Sequence, residues 1–96
     1  MRVFVPNPLH SYTHGRAEVE GAGASLTELL ADLDRRYPGF RFRIIDEQGA
    51  IREHIKIFLN EDQIRILSVP VNSNDVVHII CGLSGGVPSD LDPPYA

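Results

Sequence analysis

The sequence predicts an α+β domain in which one helix covers one face of a mixed β-sheet. Three observations favour this class. Strand patterns occur near both ends of the chain, one segment carries the apolar stripe of a helix, and the last strand is apolar on both faces. A single helix can cover only one face of a sheet, and a strand with two apolar faces suits its centre. The 96 residues predict one domain with a modest core.

Two strands are predicted before the helix. Residues 2–5 alternate, and Pro6 ends the strand because proline cannot donate to the ladder. Residues 12–20 are predicted as a second strand, since charged and small apolar side chains alternate towards its end. Gly15 is expected in a turn or bulge at its start. The closeness of the two strands in sequence predicts an antiparallel hairpin.

The helix is predicted over residues 25–36. Ser25 and Glu28 form a capping-box pattern, in which the Ser25 hydroxyl accepts from the Glu28 amide and the Glu28 side chain reaches back. Pro38-Gly39 ends the helix, and two arginines lie in the last turn, where positive charge suits the helix dipole. One apolar stripe contains Leu26, Leu29, Leu30, Leu33 and Tyr37.

The chain after the helix is predicted to return to the sheet. Residues 40–45 fit either a short helical turn or an irregular strand, and residues 46–49 form a turn. A strand is predicted over 54–59, and a tight turn at 60–62 leads to a short partner strand over 63–67. The apolar side chains expected beneath the sheet edge are Phe40, Phe42, Ile44 and Ile45.

The last strand is predicted over Val76–Cys81, parallel to the first strand and beside it in the centre of the sheet. This element order is the β-grasp arrangement. We expect residues 1–86 to form the domain, including a Gly85-Gly86 arm, and the proline-rich residues 87–96 to form a mobile tail.

Composition disfavours several functions. The formal charge is −4, and the scattered Lys and Arg residues lack the concentrated positive face that nucleic acid binding requires. The sequence contains no run of about 18 apolar residues, so no membrane span is predicted. The N-terminal apolar run is too short for a secretory signal. One cysteine excludes an internal disulfide framework. We therefore expect a cytoplasmic protein that binds neither nucleic acid nor membrane.

No group of residues predicts catalysis. Cys81 lies in an apolar strand, so we expect a buried, inert thiol rather than a nucleophile. The four histidines lack the spacing of a metal site, and no P-loop or Ser/His/Asp set is present. The acid pairs Asp46-Glu47 and Glu61-Asp62 are expected in solvated turns. We expect no enzymatic activity, no metal and no bound cofactor.

Recognition is the better-supported role. Gly85-Gly86 follows the last strand closely, although a glycine pair by itself is equally explained as a linker. The sheet face opposite the helix is predicted to be a docking surface, because one helix leaves it uncovered; a homodimer contact or a covering loop are the alternatives. Ile57, Val77 and Ile79 are expected to face the helix, and Phe58, His78, Ile80 and the following Leu83 to serve docking.

These features resemble the MoaD/ThiS family of ubiquitin-like sulfur carriers, β-grasp proteins that end in Gly-Gly. The match covers nearly all of residues 2–86 and looks most similar to the longer, MoaD-related carriers of cysteine or other sulfur-metabolite synthesis. The stretches that carry the resemblance are Val5-Pro6, residues 19–21, 29–33, 37–39 and 45–49, the turn 57–62 with Ile64-Arg65, residues 75–79, and Gly85-Gly86.

The resemblance implies a mechanism at the terminal glycine. An adenylating enzyme related to ubiquitin activation would use MgATP to activate the Gly86 carboxylate, and sulfur would then replace AMP to give a thiocarboxylate. A biosynthetic enzyme would accept the sulfur, with molybdopterin, thiamine thiazole, cysteine and other products all open. Glycines suit this role because, without a Cβ, their backbone can enter a narrow site.

The chain departs from the family at two places. Members commonly read Pro-Ala-Val-Ala before the glycines, where this chain has residues 81–84, Cys-Gly-Leu-Ser. Gly86 is also joined to Val87 and has no carboxylate to activate. The resemblance to extended members implies that a JAMM-type zinc protease cuts between Gly86 and Val87. If residues 87–96 stay attached, the alternative is a non-carrier β-grasp module for protein interaction.

Overall fold

A five-stranded mixed sheet organises the chain, of which the structure, a computed structural model, describes residues 1–82. The strand order is β2-β1-β5-β3-β4. Strands β1 and β5 are parallel neighbours in the centre, and the remaining pairs are antiparallel. The predicted sheet is therefore confirmed. Its strands are β1 (Arg2–Phe4), β2 (Glu18–Glu20), β3 (Ile55–Leu59), β4 (Asp62–Ile64) and β5 (Val76–Cys81).

Helix α1 (Leu26–Arg36) covers one face of the sheet, as predicted. Ser25 caps it, because its Oγ accepts from the Glu28 N–H at 3.2 Å. The Glu28 carboxylate accepts from the N–H of Ala24 at 2.9 Å, one residue earlier than the predicted capping box requires. The core between α1 and the sheet includes Leu26, Leu29, Leu30, Leu33, Val3, Ile57, Val77 and Ile79.

The predicted strand over residues 12–20 is wrong in its first part. A 3-10 helix (Asn7–Thr13) precedes a turn at His14 and Gly15, both with positive φ, and only the last three residues of the predicted strand pair with β1. Proline near the start of this 3-10 helix supplies a φ suited to helical geometry. The Thr13 hydroxyl donates to the Arg16 carbonyl at 2.7 Å and so closes the turn.

Residues 40–45 adopt the helical alternative. Helix α2 (Phe40–Ile44) buries Phe40 and Ile44, and Ile45 follows them into the core. The prediction is wrong for Phe42, whose side chain is 53% exposed. Positions 40 and 44 lie on one side of a helix and position 42 on the other. Neither α-helix within residues 1–82 is long and apolar enough to span a membrane.

Strand β4 is shorter than predicted because the chain leaves the sheet to contact α1. The carbonyl of Leu67 accepts from the Thr27 N–H, and the carbonyl of Val69 accepts from the Leu26 N–H, both at 3.0 Å. These bonds satisfy amides at the start of α1 that have no partner within the helix. Ile66, within the same segment, is 69% exposed.

Asp32 is a buried acid that fixes the loop before α1 to the helix itself. Its Oδ2 accepts from the Ala22 N–H and from Arg36 Nε, each at 2.9 Å, and its Oδ1 accepts from Arg35. Burial by itself raises the pKa of this carboxyl. The hydrogen bond from Ala22 and the bond and charge of Arg36, with the charge of Arg35, outweigh burial and hold the pKa below its ordinary value.

Candidate functional site

A row of three rings crosses the sheet face opposite α1. The register pairs His78 of β5 with Phe4 of β1 on one side and with Phe58 of β3 on the other. The Phe4 and His78 rings stack, with centroids 4.7 Å apart and planes within 10°. All three side chains are half-buried. The structure thus brings together Phe58 and His78, which the sequence predicted on this face.

Ile80 extends this row along β5 and is the most exposed apolar side chain of the strand. It is 46% exposed, whereas its neighbour Ile79 is 3% exposed and belongs to the core. Lys56 of β3 lies directly opposite Ile80. Leu83, the remaining predicted docking residue, lies outside the described residues. We call Phe4, Phe58, His78 and Ile80 the outer patch.

Phe4 was missed in the sequence, although the signal was present. Side chains alternate along a strand, so the burial of Val3 and Val5 placed Phe4 on the opposite face. Arg2 shares that face, with its guanidinium carbon 5.7 Å from the centroid of the Phe4 ring and its Nη1 3.8 Å from a Glu18 oxygen. The outer patch therefore has apolar rings at its centre and charged residues beside them. This arrangement is typical of a docking surface for a protein.

Strand β5 is held at its start by the turn between β3 and β4. Asn60 has a left-handed φ of 58°. Its backbone N–H donates to the Val76 carbonyl at 2.7 Å, and its side-chain oxygen accepts from the Val76 N–H at 3.1 Å. Its amide nitrogen also donates to Asp75 at 3.2 Å. The turn at Asn60 is one of the stretches that carry the family resemblance, and its contacts show that it positions β5.

Strand β5 is held at its far end by β3. Cys81 pairs with Ile55, and the Gly82 N–H donates to the His54 carbonyl at 2.7 Å. The chain thus leaves the sheet from a fixed point next to the outer patch. The predicted arm and processing site, formed by Gly85, Gly86 and Val87, and the predicted tail over 87–96 lie outside the described residues.

Cys81 is half-buried rather than buried as expected. It is the last residue of β5 and borders a cavity of about 270 Å³, which also contacts Arg43, Arg52 and His54. The strand ends here, so the thiol lies at the margin of the core instead of within it.

Three further ionisable groups have partners within the fold. His10 Nε2 lies 2.9 Å from the Val5 carbonyl oxygen, and the His14 ring lies 5.8 Å from the Tyr37 ring. Asp46 accepts from two backbone N–H groups of its own turn, those of residues 48 and 50. Within residues 1–82, no three His, Cys, Asp or Glu side chains are grouped so that they could hold a metal ion.

Comparison with known proteins identifies related chains over almost the whole length. A sequence model of the ThiS family matches residues 3–86. A sulfur carrier protein from Mycobacterium tuberculosis, CysO, is 27% identical over 89 residues, which cover 88% of this chain and 96% of the relative. The matched segment of the family ends at the glycine pair.

Solved structures support the same relationship. A chain of the Amycolatopsis orientalis BexX/CysO complex superposes with a TM-score of 0.82 at 27% identity, covering 88% of this chain and 98% of that chain. Mycobacterium tuberculosis CysO gives a TM-score of 0.81 at 25% identity, covering 85% and 98%. The small archaeal modifier protein 1 from Methanosarcina acetivorans, with a TM-score of 0.72 at 24% identity over 88% of this chain and 94% of that chain, shares the fold. The predicted β-grasp fold is confirmed.

Proposed function

Because the chain belongs to the ThiS family, we propose that it is a sulfur carrier protein that works through a thiocarboxylate at Gly86. The observation that carries this proposal is the extent of the family match, which runs through both glycines and stops at residue 86. The similarity to a sulfur carrier protein over 96% of that relative supports the same function.

The geometry of β5 supports the mechanism. The Asn60 turn holds the start of the strand, and the His54 carbonyl holds Gly82 at its end. Gly86 is the fourth residue after Gly82, so the arm reaches at most about 14 Å from this fixed point. A partner seated on the outer patch would therefore meet the Gly86 carboxylate within this reach of Gly82. That distance suits delivery of a carboxylate into the partner's active site.

The chemistry requires two partner enzymes and a source of hydrosulfide. A JAMM-type zinc protease hydrolyses the Gly86–Val87 peptide bond and leaves a carboxylate on Gly86. An adenylating enzyme then uses MgATP: the carboxylate oxygen attacks the α-phosphorus, pyrophosphate leaves, and an acyl-adenylate forms. Hydrosulfide attacks the acyl carbon, the bond to AMP breaks, and the thiocarboxylate remains.

The carrier itself contributes a reactive end and a docking surface. It is not an enzyme in this scheme and binds no cofactor of its own, since the partner holds MgATP. The outer patch docks the adenylating enzyme. A biosynthetic enzyme in the cytoplasm that makes cysteine or another sulfur metabolite accepts the sulfur.

A reconstituted reaction tests the proposal. The chain ending at Gly86 and the chain with residues 87–96 would each be incubated with the adenylating enzyme of the same host, MgATP and sulfide, followed by intact-mass measurement. We expect only the shorter chain to gain the mass difference of one oxygen replaced by sulfur. The Gly86→Pro variant of the shorter chain is the matched control and should stay unmodified. A stable complex without adenylate or thiocarboxylate would instead support a non-carrier interaction module.

A further inference from the structure

Two neighbouring depressions of about 530 and 270 Å³ lie on the surface between β4 and the end of β5, and we call them together the groove. Arg52 and Ile55 line both depressions. Arg65 lies towards one end and Cys81 at the other, beside the point where the chain leaves the sheet. None of the four outer-patch residues lines this groove, although Lys56, which does, lies directly opposite Ile80.

The groove is positive although the chain is acidic. It contains four of the nine Lys and Arg residues and two carboxylates, in a chain of formal charge −4. Among the described residues, none of these four cations lies within salt-bridge distance of a carboxylate, whereas Arg2, Arg35 and Arg36 do. The cations are Arg43, Arg52, Lys56 and Arg65, and the carboxylates are Glu47 and Glu53.

Arg52 is held in an orientation that suits recognition of a carboxylate. Its Nε donates to the Phe42 carbonyl at 2.7 Å, and its guanidinium carbon lies 4.5 Å from the centroid of the Phe42 ring. Because Nε is occupied, the terminal nitrogens of the fork are the groups that can meet an anion. A guanidinium that is already ordered loses less conformational freedom on binding. This contact also gives the exposed Phe42 a role.

Apolar residues contribute to the same groove. Ile51, Ile64 and Leu67 line the larger depression, and Pro8 and Leu9 line the smaller one. An occupant that matches the surface therefore carries both acidic and apolar side chains. A nucleic acid matches it less well, since the two carboxylates oppose phosphate and the Arg52 guanidinium covers one face of the Phe42 ring.

We propose that this groove binds an acidic segment of a second protein, in which apolar residues alternate with Asp or Glu. The groove adjoins the end of β5, so a partner bound there lies next to the arm that begins after Gly82. The proposal depends on the charge and shape of the described residues and does not require that the chain carries sulfur.

The test is an NMR titration of the full ¹⁵N-labelled chain at low salt. The probe is a synthetic peptide in which Glu and Leu alternate, and its analogue with Gln in place of Glu is the charge control. We expect the acidic peptide to shift the Arg52 Nε–H and the backbone amides of residues 49–56 and 63–67. The shifts should vanish at high salt, because screening weakens exposed charge pairs, and the Gln analogue should produce none.

Matched variants identify the cations that bind. Arg52→Gln should weaken binding of the acidic peptide by about fivefold and Arg65→Gln by about threefold, as expected for single exposed charge contacts. Arg16→Gln removes the same charge from an exposed residue beside β2, at the far edge of the sheet, and should leave the affinity unchanged. If Arg52→Gln disturbs the fold, Arg65→Gln still tests the proposal. The side chain of Arg65 donates only to the exposed Gln63, so its loss should leave the fold unchanged.

Three results would overturn the proposal. Equal loss of affinity in Arg16→Gln and Arg65→Gln would show attraction to charge without a site. Shifts spread over the outer patch instead of the groove would place the peptide elsewhere. Tighter binding of an oligothymidylate than of the peptide to the same residues would identify the groove as a nucleic acid site.

Discussion

The two faces of the sheet are built from the same strands but differ in how far their side chains are buried. Ile79 and Ile80 are consecutive residues of β5 with identical side chains, yet one is 3% and the other 46% exposed. Ile79 packs in the core beneath α1, and Ile80 lies in the outer patch with Phe4, Phe58 and His78. Register, rather than residue type, therefore decides which side chains of this sheet join the core and which stay available for contact with a partner.

The largest expected effect is a difference in the free energy of unfolding between substitutions at Ile79 and at Ile80. Ile79→Ala should lower the free energy of unfolding by about 3 kcal/mol, because it leaves a cavity in a packed core. Ile80→Ala should lower it by less than about 1 kcal/mol, since water already reaches the side chain. Urea denaturation followed by circular dichroism measures both. Equal losses would show that the outer patch belongs to the core.

The next effect concerns the buried acid on the helical side. The pKa of Asp32 is lowered in the folded chain, so its ionised form stabilises the fold. This stability is present above the pKa of the unfolded state and is lost as pH falls through the folded pKa. Asp32→Asn should therefore cost about 2 kcal/mol at neutral pH.

The pH dependence is the control for Asp32. The difference in unfolding free energy between the wild type and Asp32→Asn should shrink as the carboxylate is protonated, and urea titrations at neutral and strongly acidic pH would measure it. Asp62→Asn, a change on an exposed acid of β4, is the matched control for general charge effects. A difference that grows on acidification contradicts the assigned direction.

A smaller effect is expected in recognition through the outer patch. Ile80→Ser should slow thiocarboxylate formation by the adenylating enzyme by about tenfold at subsaturating carrier, as expected for a contact near the centre of an interface. The unfolding free energy should change little. Intact-mass time courses compare Ile80→Ser with Ile66→Ser, which alters a more exposed isoleucine outside the patch. Similar rates for both variants would remove the outer patch from the docking surface.

The smallest effect is expected for Asn60→Gly, in the turn that anchors β5. Asn60→Gly keeps the left-handed backbone accessible but loses the side-chain bonds to Val76 and Asp75, at a cost of about 1 kcal/mol. Asn60→Ala should cost about 1 kcal/mol more, because alanine is strained at a φ of 58°. Thermal unfolding distinguishes the two variants. Equal stability of the two variants would show that residue 60 can leave the left-handed conformation without loss of stability.

The sequence predicted those parts of the fold in which local patterns and packing agree. Helix α1 begins at a capping serine and carries a continuous leucine stripe, and β5 was predicted with its observed bounds. In both elements the buried side chains recur at the spacing that the helix or strand requires, and this spacing can be seen in the sequence.

The errors arose where hydrogen bonds or local turns decide the structure. The 3-10 helix before β2 has no apolar periodicity in its sequence that would predict it. A hydrogen bond from the Thr13 hydroxyl closes the turn that follows it. The end of β4 is set by carbonyls of residues 67 and 69 that bond to α1, far away in sequence. The groove around Arg52 escaped prediction for the same reason, since its cations come from separate segments that only the fold brings together.

The form of the chain in its own host tests the central claim most directly. Protein isolated during sulfur demand under non-reducing conditions would be measured by intact mass and by fragmentation of its C-terminus. We predict a chain that ends at Gly86 and carries a thiocarboxylate. Exclusive recovery of the chain with residues 87–96 still attached, with no thiocarboxylate under any sulfur supply, would contradict sulfur carriage.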